Sequence, residues 1–219
     1  MLAGRPFPDR LVNLGTTYPA IAVLEIDSIA TGISAADAMV KKAPIAVLKA
    51  GTVHPGHFLI LVAGSVAAVE EAHKAGLERA GSWLSDQILL PDVHPQVIGA
   101  ALGARRGLSA EALAVVECRS VPSLLRAADA AIKATEISIS RIRLADDLGG
   151  QAFLLLDGLL ADVEAADELC REIIPQQFLL QTTVIPRLDT TLQSLLNEGT
   201  HFAACAHFQL EGAEIHAAG

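Results

Sequence analysis

The sequence predicts an α+β fold built from two tandem β-α-β-β-α-β units. Three observations carry that expectation. The chain repeats itself, its apolar runs have strand length, and the segments between them carry apolar residues every three or four positions. The repeat is plain on inspection. AVLEIDSIATGISAADAMVKKAPI from Ala22 aligns with AVVECRSVPSLLRAADAAIKATEI from Ala114, an offset of 92. GHFLILVAGSVAAVEEA from Gly56 aligns with GQAFLLLDGLLADVEAA from Gly150, so the offset has grown to 94 and the second copy has the longer loop. LLPDVHPQVIGA from Leu89 meets VIPRLDTTLQSL from Val184. A period this long makes each copy a domain rather than a solenoid repeat. The expected division is 1–105 and 106–219, with the linker near LGARRGLS, residues 102–109.

Each copy opens on a short apolar run, IAVLEI or ALAVVE, of the kind buried on both faces of a sheet. A helix follows. Ile33, Ala36, Val40 and Ala43 form its expected inward face, with Leu125, Ala128 and Ile132 as counterparts. Ser28 and Ser120 are expected N-caps, and Pro122 suits a first helical turn. Two strands come next. In ISISRIRL, residues 137–144, the alternation slips by one near Arg141, which a β-bulge would explain. A second helix carries Val69 or Val163, and a last strand ends at Leu90-Pro91 or Ile185-Pro186. This order is that of the ferredoxin-like split βαβ arrangement, with helices on one face of an antiparallel sheet.

Composition narrows the function. Apolar residues make up 52% of the 219, enough for a sizeable core. The net charge of −9 opposes contact with phosphate backbones and argues against nucleic acid. No run reaches the roughly 18 uncharged apolar residues of a membrane helix. The start, MLAGRPFPDRLVNLG, has no basic region followed by an apolar one, so no signal peptide is expected. Cys118, Cys170 and Cys205 are odd in number and far apart, which fits a reducing compartment.

The E…AADAMVK pattern and the Pro-Gly-x-Phe-Leu strand entry resemble the shell-protein domain of bacterial microcompartments, over roughly residues 20–100 and 112–195. Two domains in one chain, each beginning with its strand–helix unit, are similar to the non-permuted tandem shell proteins. The resemblance implies a non-enzymatic, homotrimeric, pseudohexameric tile with a central pore for small molecules or electrons. It would lie in a cytoplasmic microcompartment shell beside hexameric and pentameric shell proteins. Lys41, Lys133 and Arg187 match the family's tile-edge positions, and Asp92 departs from the pattern where Arg187 stands in the second copy. The pore loops match Thr52, Val53, His54, Pro55 and Gly56 in the first copy and Asp146, Asp147, Leu148, Gly149 and Gly150 in the second. Some tandem members hold an iron–sulfur cluster on a cysteine of the first loop. His54 stands there, and no cysteine lies in either loop, so no cluster and no other cofactor is expected.

His54 and His57 within one chain do not make the four-coordinate shell of a zinc site. Three copies of His54 on a trimer axis would supply three imidazoles, so a metal or pH-sensitive ring stands beside the simpler reading of a solvated pore residue. His57 is expected to be a half-exposed strand residue facing away from Phe58. Asp146 and Asp147 suit a turn, and in three copies would make an acidic collar that disfavours anions. Glu25 and Glu117 recur in equivalent strands, which favours a structural role such as an inter-subunit hydrogen bond. Cys118 and Cys170 are expected to be small core residues. The tail holding His201, Cys205, His207 and His216 matches no zinc motif. Two other classes remain as alternatives, a small-molecule regulator and an enzyme. The sequence offers neither a Gly-rich phosphate loop nor a catalytic triad.

Overall fold

A computed structural model describes residues 18–109 and 111–201. The N-terminal segment read for a signal peptide lies outside them, as do Cys205, His207 and His216 of the tail. The first unit runs β1 (Ala20–Ile26), α1 (Ile29–Lys42), β2 (Val47–Val53), β3 (His57–Gly64), α2 (Val66–Ala80), β4 (Leu84–Leu90) and α3 (Pro95–Ala101). The second runs β5 (Ala112–Cys118), α4 (Val121–Ala134), β6 (Ser138–Arg143), β7 (Ala152–Gly158), α5 (Leu160–Ile173), β8 (Leu179–Ile185) and α6 (Thr190–Glu198). Each unit holds one four-stranded antiparallel sheet, ordered β2-β3-β1-β4 or β6-β7-β5-β8.

β1 is central in its sheet and buried along its whole length. Ala22, Leu24 and Ile26 pack under α1 and α2, while Ile21 and Val23 join a second cluster on the other face with Val97 and Ile98 of α3. Two covered faces explain why its sequence is a continuous apolar run instead of an alternating one. Ser28 and Ser120 cap α1 and α4 as expected, accepting from Thr31 N–H at 3.2 Å and Ser123 N–H at 3.0 Å. The slip in β6 is a bulge: Ile139 pairs with Leu156 and Arg141 with Leu155, which leaves Ser140 unpaired.

Two expectations are corrected. The inward face of α1 is Gly32, Ala35, Ala36 and Met39, and Ile33 and Val40 point outward. Three small residues and Met39 make the inner face because α1 lies close to α2. A Cβ on Gly76 of α2 would come within 2.7 Å of Met39 Sδ. The third helices, α3 and α6, were not expected at all. Proline at the start of α3 with His94 Nδ1 accepting Gln96 N–H, and Asp189 accepting Thr191 and Leu192 N–H at α6, are their local signals.

The units share one core. Ile88, Val93 and Val97 of the first lie in the same cluster as Val121, Leu124, Leu125 and Ala128 of α4. The connector after α3 is tied to the second unit: Leu108 is buried with Leu113, Leu155 and Leu188, and its N–H donates to Asn197 Oδ1 at 2.9 Å. No helix among the described residues is long and apolar enough to cross a membrane.

Candidate functional site: the domain junction and the paired loops

The junction is built where α4 docks by its N-terminus onto the β1–β4 edge. Glu25 of β1 is nearly fully buried, and its Oε2 accepts the Val121 N–H at 3.1 Å. Asp86 of β4 accepts from the Ser123 hydroxyl at 2.6 Å and from the Ser120 hydroxyl. Two carboxylates thus face a helix N-terminus, where free N–H groups and the helix dipole favour negative charge. Burial pushes the Glu25 carboxyl up. The Val121 N–H and His57 oppose that rise, and the Asp86 charge adds to it. His57 is half-buried, with Nδ1 3.4 Å from Glu25 and Nε2 3.4 Å from Asp27. It is the half-exposed strand residue expected, but its link to the junction was not visible in the sequence. Further along α4, Arg126 donates to the Gln87 carbonyl at 2.9 Å and Asp129 accepts the His94 N–H at 2.7 Å.

The β2–β3 turn and the β6–β7 loop lie against each other. A Cβ on Gly150 would run into the His54 carbonyl and Pro55 Cδ, and its φ of +84° also calls for glycine. The first turn is closed by Gly56 N–H to the Val53 carbonyl at 3.0 Å, and its His54–Pro55 bond is cis. The second loop winds tightly, with positive φ at Ala145, Asp147, Gly149 and Gly150. Arg143 braces it, donating to the Asp146 carbonyl at 2.9 Å and to Thr200 Oγ1 at 3.2 Å.

The BMC domain family matches residues 20–93 and again 112–188. The chain belongs to the BMC-domain family. It is 35% identical over 181 residues to the bacterial microcompartment shell protein PduT of Citrobacter freundii, covering 82% of this chain and 98% of that one. A microcompartments protein of Desulfitobacterium hafniense DCB has 36% identity and a TM-score of 0.72, covering 80% of this chain and 98% of its own. The double-ringed trimeric shell protein MSM0271 of the RMM microcompartment shares the fold at 17% identity and a TM-score of 0.51, covering 71% and 82%. Both BMC domains here begin with their strand–helix unit, so the chain is a tandem shell-family protein of the non-permuted order.

The BMC domains present most of the loop residues expected from sequence. Thr52, His54, Pro55, Asp146, Asp147 and Gly149 are exposed, and Leu148 is half-buried. Val53 departs from the expectation: its side chain is turned into the shared core and braces the turn. Lys41 is exposed and pairs with Asp37 at 2.7 Å. Lys133 pairs with Asp129 at 2.7 Å and donates to the Asp92 carbonyl, so it lies on the junction within the chain. Arg187 is exposed. Glu25 and Glu117 are not alike, since the second is exposed. Cys118 and Cys170 are buried, and burial pushes their thiols up to about 11 and about 12. Both are core residues, as expected.

Proposed function

We propose that the protein is a structural, non-enzymatic tile of a microcompartment shell, in which three chains close a ring of six BMC domains around a pore. One observation carries the reading. Ile29, Ile33 and Val40 of α1 are 40%, 56% and 47% exposed, while their counterparts Val121, Leu125 and Ile132 of α4 are no more than 8% exposed. The α4 residues are covered by the first domain of the same chain. The same face on α1 calls for the same cover, and the β5–β8 edge of a second chain offers it. Glu117 would receive the Ile29 N–H as Glu25 receives that of Val121. Leu48 and Leu192 fit the same scheme, being exposed where their counterparts Ile139 and Val97 are buried. A heterologous contact of this kind closes into a ring when its rotation permits. A larger exposed apolar patch on a folded chain ordinarily marks an interface.

In that ring three copies of the paired loops surround the axis. His54, Asp146 and Asp147 then line the opening, with an acidic rim that favours cations and neutral solutes over anions. No cofactor is needed. A metal at His54 would require all three chains, since no three His, Cys, Asp or Glu side chains among the described residues are grouped to hold one. Lys41 and Arg187 remain as edge residues facing neighbouring shell proteins.

Native mass spectrometry tests the ring. The expected species is about 69 kDa, three times the 22.9 kDa chain, without a metal adduct. A monomer at all concentrations would sink the ring. An adduct of one ion per trimer would favour the metal reading at His54. For the rim, Asp147→Asn should raise anion passage through reconstituted shell layers several-fold. Unchanged passage would remove the rim from the account.

A further inference from the structure

A cavity of about 270 Å³ lies within one chain, between β2 of the first domain and β6 of the second, with the end of α3 and its connector as floor. Among the described residues its lining holds Lys49, Arg105, Arg141 and Arg143 against a single acid, Asp146. The chain carries a net charge of −9 and only 16 Lys and Arg, so four cations around one cavity run against its composition. Two are held in place. Lys49 Nζ is 3.5 Å from the Ala101 carbonyl, and Arg143 is fixed by Asp146 and Thr200. Arg141 is buried, and the bulge at Ser140 sets its place in the ladder. Leu59 and Leu61 add an apolar wall.

The repeat shows that the fold alone does not demand this charge. Lys49 and Arg141 are equivalent, lying opposite Leu61 and Leu155. Arg143 lies opposite Phe153, but the matching position opposite Leu59 is Gly51. At the offset of the third helices, Arg105 corresponds to Thr200. Lys49 is thus matched by a cation in the other copy, whereas Arg143 and Arg105 are matched by Gly51 and Thr200.

We propose that this cavity binds a small organic anion, a carboxylate or phosphate of a few carbons, between the two domains. Guanidinium and ammonium groups recognise such oxygens by charge-assisted hydrogen bonds, which are stronger where water is partly excluded. The apolar wall receives the carbon chain. The lining comes from one chain and shares only Thr52, Val53 and Asp146 with the pore loops, so binding here and assembly of the ring can be tested separately.

Isothermal titration of the full-length protein with succinate and with inorganic phosphate, at low salt, tests this. The expected result is one saturable site per chain for at least one of the two. Lys49→Ala and Arg105→Ala, both exposed positions, should each weaken it about tenfold with thermal unfolding unchanged. Succinamide, which is neutral, should not bind, and Asp147→Asn should bind as the wild type does. No saturation with either anion, or affinity unaltered by both cation deletions, overturns the site.

Discussion

The β1–β4 edge and the β5–β8 edge are the same surface in two states. On the first, Glu25 and Asp86 are engaged with the α4 N-terminus. On the second, Glu117 and Gln181, which occupy the same places, are exposed. The helix faces differ in the same way, α4 covered and α1 bare. Position in a repeat therefore does not fix a residue's environment. What fixes it is whether the complementary surface is part of the same chain.

Paired substitutions probe that difference, the largest effect first. Leu125→Asp places an uncompensated charge in the shared core and should cost more than about 3 kcal/mol in denaturant unfolding. Ile33→Asp, its counterpart, should change single-chain stability by less than about 0.5 kcal/mol, yet abolish the proposed trimer in native mass spectrometry. Equal loss of stability in both would mean that the two faces are buried alike within one chain. Glu25→Ala leaves the Val121 N–H buried without its acceptor and should cost about 1–3 kcal/mol. Glu117→Ala should leave the isolated chain unaffected and weaken only association, seen as a shift in the dilution midpoint of the proposed trimer.

The smallest effect concerns His73 of α2, whose counterpart in α5 is Asp167. His73 Nε2 lies 2.8 Å from Gln87 Oε1, whereas Asp167 pairs with Arg171 at 2.7 Å. Burial pushes the His73 imidazole below its ordinary value of 6.5, against the pull of Gln87. The folded chain thus binds that proton less tightly than the unfolded chain does. Its contribution to stability is complete above pH 6.5 and is lost as pH falls through the lowered value. Unfolding midpoints measured across that range should fall in the wild type, and fall less in His73→Gln.

Much of this was legible in the sequence. The repeat, the strand and helix order, both serine caps and the bulge near Arg141 follow from local chemistry and spacing. The outer face of α1 was not. Ile33 and Val40 are β-branched apolar residues that at helical spacing look inward, while the true inner face is Gly32, Ala35 and Ala36 with Met39, which packs against Gly76 of α2. Periodicity reports which residues avoid water. It does not say whether the cover comes from the same chain. α3 and α6, of seven and nine residues, are too short for periodicity to declare. Of the site, the two loops were legible as turns, from Pro-Gly in one copy and Gly-Gly in the other, and their expected place at a pore comes from the family resemblance. The bond from Val121 to Glu25 spans 96 positions, and the cavity joins residues from β2, the connector and β6. Such contacts are set by tertiary packing, which no local pattern encodes.

The connector between α3 and β5 has a consequence for assembly. It holds the first domain beside α4 at high effective concentration, so that joint forms within a single chain at any dilution. In the proposed ring, the joint made by α1 has no such advantage and follows mass action. A ring built this way has two kinds of seam, three permanent and three reversible. Diluting it should release two-domain chains with the Glu25 seam intact and never free single domains.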